Sequence, residues 1–277
     1  IAASFIPSRI KNMYEAGINY PLYFCLEDFQ NNKEGVERNV GVFSFDSEAS
    51  EYKGAPKAIY NVFRMLSHLG DNMFTSSLEL NDEFVDVIAT KAQDRIAMLV
   101  YNYIDPEIAR NFLSRNIASL NGAERKALLN LISSGKFQKV MLRQLDISKM
   151  RLTKKLKTLL KKAQELNDRA IKFQSSTRNI NTIIKNIKGN YLYQRYTVDS
   201  SCNTNCAFVP VEEKELNLSE PFQQILTLHP YSVQMIILTK KPAEPERAAL
   251  VTGEQSAAGK VEKVSNATES KEKVPQE

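Results

Sequence analysis

The spacing of apolar residues divides this chain into blocks of different rhythm. In the first 17 residues Ile6, Ile10, Met13, Tyr14 and Gly17 fall three or four apart, with Ser8, Arg9, Lys11 and Asn12 between them. That period predicts an amphipathic helix closed by Gly17. Residues 20–26 form a short apolar run rich in aromatics and bounded by Glu27 and Asp28. It reads as a strand buried on both faces, the kind found in parallel sheets. Residues 31–38 read as a charged loop, 40–45 as a short β segment and 47–54 as a turn-rich connection. Pro56 then opens a second helix, whose stripe is Ala58, Ile59, Val62, Phe63, Met65, Leu66 and Leu69, and Gly70 ends it. Helix, strand, loop and helix is the alternation of a barrel or an open parallel sheet. One strand can form neither, so its partner strands are expected upstream. A chain that begins inside a packed helix fits the same expectation.

After Gly70 the period shortens. Residues 73–80, 84–90 and 95–103 are β-rich, with turns at 81–83 and 92–94, and predict an antiparallel meander. Residues 191–198, 206–211, 223–228 and 232–238 are β-like again, and the two sets together suggest a β-sandwich. Between them lies a helical block. Asp105-Pro106 opens one helix and Asn121-Gly122-Ala123-Glu124 another. A long amphipathic helix follows from Ser148, with Leu152, Leu156, Leu159, Leu160, Ala163, Leu166, Ala170, Ile171 and Phe173 on one face and lysines on the other. Ile180, Ile183, Ile184 and Ile187 predict one more helix after it. The expected organisation is a first domain at 1–70, a sandwich at 71–104 and 191–240, a Lys-rich helical insertion at 105–190, and a disordered tail at 241–277 that lacks any period.

Charge changes this picture in one place. The net charge of +5 is an average: residues 136–188 hold fifteen Lys and Arg against three acids, so the remainder is mildly acidic. The basic helix could meet an anionic partner or an acidic polymer. With only Phe137 and Phe173 there to stack on bases, the composition argues against nucleic acid. A solvated outer face accounts for most such lysines. No apolar run approaches the roughly 20 residues needed to span a bilayer as a helix. Cys25 reads as a core residue. Cys202 and Cys206 sit close enough for a local disulfide in an exported protein, or are two free thiols. The two histidines, His68 and His229, lie too far off in sequence to complete a metal site with them.

The chain carries no P-loop, no dinucleotide-binding glycine motif, no zinc-protease helix and no nucleophile elbow. No cofactor is expected, and no catalytic pair. The best local constellation is Phe24, Glu27 and Asp28 at the end of the apolar run. At the carboxyl end of a barrel strand such residues form the active-site rim. An aromatic ring there can stack on a sugar face, and carboxylates can accept hydrogen bonds from hydroxyls.

Three segments in order carry a resemblance. Tyr23-Phe24-Cys25-Leu26-Glu27-Asp28 follows the first helix. Gly41-Val42-Phe43 precedes Pro56-Lys57-Ala58-Ile59-Tyr60 and Met65-Leu66-Ser67-His68-Leu69-Gly70. Leu228-His229-Pro230-Tyr231-Ser232-Val233-Gln234-Met235-Ile236 closes the series, with Tyr196-Thr197-Val198-Asp199 before it. In this order the chain resembles the C-terminal part of family 39 glycoside hydrolases, the β-xylosidase and α-L-iduronidase group, and more loosely clan A glycosidases. The resemblance covers residues 1–104 and 191–240. It implies the last β/α units of a (β/α)8 TIM barrel followed by a β-sandwich, here carrying the helical insertion. It implies a carbohydrate substrate and retaining hydrolysis by two carboxylates. Both would precede Ile1, because the first helix would follow strand seven. Phe24 stands where the family has Trp, Asp28 matches its rim Asp, and Glu27 replaces a small residue. The location is left open, with an extracellular or periplasmic one favoured, and so is the oligomeric state. The other reading is a non-catalytic module that binds carbohydrate or, through the basic helices, a partner.

Overall fold

One six-stranded antiparallel sheet with two apolar faces organises the chain. The computed structural model describes residues 2–18, 22–23, 25–31, 36–38, 40–44, 54–74 and 84–242. These fall in a unit that spans Ile1–Pro242; the second unit, Ala243–Glu277, and with it the expected tail, lies outside the described residues. Strands β3 (Asn72–Met73), β4 (Val85–Lys91), β5 (Arg95–Asn102), β7 (Gly189–Val198), β8 (Glu212–Leu218) and β10 (Val233–Lys240) make the sheet, in the order β3-β4-β5-β10-β7-β8. Strand β10 is last in sequence and central in space. It pairs with β5 through Met235 opposite Leu99, and with β7 through Met235 opposite Tyr196.

Alternation sends each strand's residues to two cores. Ala97, Leu99 and Tyr101 of β5, Tyr196 and Val198 of β7, and Val233, Met235 and Ile237 of β10 face one side. Helices α1 (Ala2–Glu15) and α2 (Ala58–Leu66) cover that side with Ala3, Ile6, Ile59, Val62 and Met65. Ile96, Met98, Val100, Tyr191, Tyr193, Ile236 and Leu238 face the other. There a two-stranded sheet of β6 (Arg178–Ile184) and β9 (Phe222–Leu228) packs on them with Phe222, Leu226 and Leu228. Gln234, in the middle of β10, crosses this second core to donate to the Thr227 carbonyl at 2.7 Å. Full burial of each such Leu, Ile or Met contributes about 1.5–3 kcal/mol.

The insertion stands on a core of its own. Helices α3 (Ile108–Asn116), α4 (Gly122–Ser133), α5 (Lys136–Met141) and α6 (Lys154–Phe173) bury Leu113, Leu128, Val140, Leu156, Leu160 and Ala163 together. Asn121 and Glu124 form a reciprocal capping box at the start of α4. Glu124 also accepts from the Thr153 hydroxyl at 2.6 Å, which ties that start to the N-cap of α6. Phe84, Ile104 and Ala170, with Phe173 and Tyr231 against them, join the insertion to the sheet.

Five expectations need correction. Residues 178–184 are strand β6, not a helix: buried Thr182 alternates with half-buried Ile180 and Ile184, and the run is rich in β-branched residues. Residues 206–211 are not a strand. Val209 and Val211 are exposed at 61% and 56%, and Pro210 removes a ladder donor. The strand there is β8, whose charged sequence suits a sheet edge. Residues 31–38, expected as a loop, hold part of a hairpin of β1 (Phe29–Asn31) and β2 (Val36–Arg38). Finally, the run at 20–26 makes no buried strand among its described residues: Leu22 is 95% exposed and Leu26 70%. Among the described residues, a parallel bridge joins Glu27, just after the run, to Phe43. The helix expected to open at Pro56 begins at Ala58, because Pro56 and Lys57 are held in bridges to Phe43 and Thr204.

The end of α2 lies on the sheet through an aromatic stack. The His68 ring is parallel to Tyr196 within 18° at 6.2 Å and to Phe208 within 10° at 6.0 Å. Burial lowers the His68 pKa below its ordinary 6.5, and the nearby Arg95 and Arg64 push the same way. The folded chain thus resists a proton that the unfolded chain accepts. The stability this gives is full above the unfolded pKa and is lost as pH falls through the folded one. Urea midpoints of the wild type should fall between pH 7 and pH 5 more steeply than those of His68→Phe; equal slopes would refute the assignment.

Candidate functional site

The described part of the expected rim is a joint of three segments around one carboxylate. Backbone contacts set it up. Val42 and Phe43 donate to the Leu26 carbonyl at 2.9 Å each, Asp28 donates to Phe43 at 3.0 Å, and Lys57 donates to Val42 at 3.0 Å. These bonds bring residues 25–28, 41–43 and 55–57 side by side. Gly41 is required there. A Cβ on it would lie 2.2 Å from the Asp28 nitrogen and the Glu27 carbonyl carbon, closer than any side chain permits.

Asp28 sits inside this joint, 8% exposed. Its Oδ1 accepts from the Gly41 N–H at 2.6 Å and from Lys57 Nζ at 2.8 Å; its Oδ2 accepts from the same ammonium at 2.9 Å. The carboxylate is fully engaged within the protein, so its reach is inward rather than toward solvent. Glu27, next in chain, is half-buried, and its carboxylate has no hydrogen-bond partner among the described residues. The Cys25 thiol donates to the Glu27 carbonyl at 2.8 Å. Tyr23 lies 37% exposed, its ring edge-on to Phe63 at 5.5 Å and its hydroxyl donating to the Val40 carbonyl at 2.5 Å. Burial raises its pKa, and Cys25 and Asp28 add to the rise. Phe24, the expected stacking ring, lies outside the described residues.

A cleft of about 280 Å³ opens beside the joint, lined by Tyr23, Gly41, Lys57, Asp199, Cys202 and Tyr231 among others. Cys202 and Cys206 form a disulfide, which settles the alternative left by the sequence. Asn61, buried on α2, donates to the Cys206 carbonyl at 3.0 Å and touches its sulfur at 3.3 Å. The Ala58 N–H donates to Asn203 at 2.8 Å and the Asn205 N–H to Pro56 at 2.8 Å. The disulfide loop thus holds the segment that carries Lys57. Sequence reading had Gly41, Lys57 and the cysteines in view, yet linked none of them to Asp28. Among the described residues no group of three His, Cys, Asp or Glu could hold a metal ion, and no helix is long and apolar enough to cross a membrane.

No protein-family model matches the sequence, and no curated protein matches it. Solved structures do resemble its backbone. One is a monomeric β-xylosidase from Caulobacter crescentus CB15, with a TM-score of 0.46 and 12% identity over 86% of this chain and 41% of that one. Another is a family 39 glycoside hydrolase from Xanthomonas axonopodis pv. citri, with a TM-score of 0.36 and 9% identity over 68% and 31%. A third is a thermostable family 51 α-L-arabinofuranosidase from Thermotoga petrophila RKU-1, with a TM-score of 0.35 and 9% identity over 72% and 32%. The chain resembles glycoside hydrolases, and it spans about two fifths or less of the length of these structures.

Asp28→Asn leaves the Lys57 ammonium in the joint without its carboxylate. The charged hydrogen bonds lost are worth about 2 kcal/mol of stability. Urea denaturation should register that loss, and Lys57→Met added to Asp28→Asn should recover part of it. Strictly additive losses would show that the two side chains do not act as a pair.

Proposed function

We propose that this chain is the C-terminal part of a retaining glycoside hydrolase acting on oligo- or polysaccharides, with the catalytic carboxylates in polypeptide that precedes Ile1. The observation that carries the reading is the joint at Asp28. The Glu27–Phe43 bridge at that joint is parallel, while every pairing between named strands is antiparallel. Parallel neighbours are what barrel strands require. Their carboxyl ends are where such enzymes place substrate-binding groups. Exposed Leu22 and Leu26 beside the joint supply an apolar surface for further strands to cover. On this reading Phe24 and Glu27 line the substrate rim, one stacking on a sugar ring and the other accepting from its hydroxyls. Asp28 acts through the turn that it fixes. The sandwich and its insertion then serve as the accessory domain.

The full-length gene product tests this. It should carry a Glu at the ends of barrel strands four and seven and should hydrolyse aryl glycosides with retention. Glu27→Gln should raise KM about tenfold, about 1.4 kcal/mol of binding, with kcat within about twofold. Absence of either Glu, or of hydrolysis, would overturn the enzymatic reading.

The exposed lysines of α6 favour a second reading, an interaction module for an acidic polymer. Lys154, Lys161 and Lys162 are exposed, whereas Lys155 and Lys157 donate to the Ser119 and Ser148 carbonyls. Retention on heparin that falls with salt, and that Lys154→Gln with Lys161→Gln abolishes, would support it; passage through the column at low salt would refute it.

A further inference from the structure

A second, larger cleft lies away from the joint. It measures about 630 Å³ and opens between α1, the β4–β5 edge of the sheet, α3 and α6. That size falls within the range of small-molecule sites, roughly 300–1,000 Å³. Four cations line it: Arg9 from α1, Arg115 from α3, and Lys162 and Arg169 from α6. Three carboxylates also line it, but two are engaged within its walls. Asp86 accepts from Lys11 at 2.5 Å and from the Tyr101 hydroxyl at 3.3 Å. Asp105 accepts from Asn111 at 2.8 Å and from the Glu107 N–H at 2.9 Å. Lys11 balances Asp86, so Asp105 and Glu165 stand against the four cations.

The cations converge from elements far apart in sequence, so the arrangement is a product of the fold. Arg9 is seated firmly. Its guanidinium lies 4.8 Å over the Phe5 ring, and that ring packs edge-on against Tyr103 at 5.6 Å. Arg115, Lys162 and Arg169 are exposed at the rim. Half-buried Phe112 and Tyr103 give the walls an apolar share. A concave site with one prevailing sign of charge and low-dielectric walls concentrates counter-ions. Guanidinium forks match the planar or tetrahedral oxygens of carboxylates and phosphates.

We propose that this cleft binds a small organic oxyanion, a carboxylate or phosphate held by Arg9, Arg115, Lys162 and Arg169, with its carbon portion against Phe112 and Tyr103. The site is independent of the glycosidase reading and shares only Lys162 with the acidic-polymer reading.

Isothermal titration of the 277-residue chain with two probes, inorganic phosphate and citrate, tests it. Binding of either supports the proposal; phosphate alone assigns phosphate chemistry, and citrate alone assigns carboxylate chemistry. Arg115→Ala with Lys162→Ala changes two exposed side chains and should weaken binding at least about tenfold. Lys154→Ala with Lys161→Ala removes the same charge from α6 residues outside the cleft and should change it less than about twofold. Failure of both probes to bind, or equal weakening by the two double variants, overturns the proposal.

Discussion

The sheet depends on its last strand being its middle one. Strand β10 is buried on both faces from Val233 to Leu238, and it joins β4–β5 on one side to β7–β8 on the other. Until residues 233–240 arrive, Leu99 and Tyr196 have no common neighbour, and neither core has a centre. The contacts that fix this strand are therefore long-range. Loop closure must precede the gain from burying Met235, Ile236 and Leu238. The apolar run is continuous for the same reason: a strand covered by helices on one face and strands on the other has no solvent side to make polar. Its one polar exception, Gln234, is satisfied by Thr227 of the facing sheet, which removes the penalty of burying it.

Because the sheet's two faces are covered by different material, the two sides serve different ends. The β6–β9 side is a sandwich and carries packing. The α1–α2 side carries the joint: α2 starts immediately after Lys57, and Met65 and Val62 anchor that helix at zero exposure. The position of the Lys57 ammonium is thereby referred to the sheet, and Asp28 and Gly41 are referred to Lys57. The disulfide loop adds a second tie through Asn61 and Asn203. A turn held by one buried ion pair and several backbone bonds can present Glu27 in a fixed direction, which a free loop could not.

Much of this was legible in residue spacing, and the failures share one cause. The helices α1, α2, α4 and α6 and the strands β4, β5, β7, β9 and β10 follow the period of their own apolar residues. Strand β6 did not, because Ile180, Ile183, Ile184 and Ile187 fit a helical period better than a strand's; its partner β9 decides, and β9 lies some forty residues on. Strand β8 was hidden by Glu212, Glu213, Lys214 and Glu215, charges that an edge tolerates and a window average rejects. Residues 20–26 have the composition of a buried strand, yet a strand needs neighbours, and among the described residues Phe43 bridges Glu27, just after the run. The site divides the same way. That Asp28 mattered was visible; that it faces Lys57 was not, since ion-pair partners carry no periodic signal.

The basic charge of the insertion has two uses that composition merges. Part of it closes helix ends. Arg125 donates to the carbonyls of Ile117, Ala118 and Leu120, and Lys155 donates to Ser119, so two cations meet the carbonyls of the turn that follows α3. Positive charge is favourable at a helix C-terminus because the aligned peptide dipoles leave it negative. Arg143 is likewise engaged, with Asp168 at 2.6 Å. Setting these structural cations aside thins the Lys-rich face of α6, while Arg115 and Lys162 line the same cleft as Arg9. Like charges held together in a concavity repel one another, and the cost falls when an anion occupies it. The insertion's charge excess is thus better explained by where its cations converge than by how many there are.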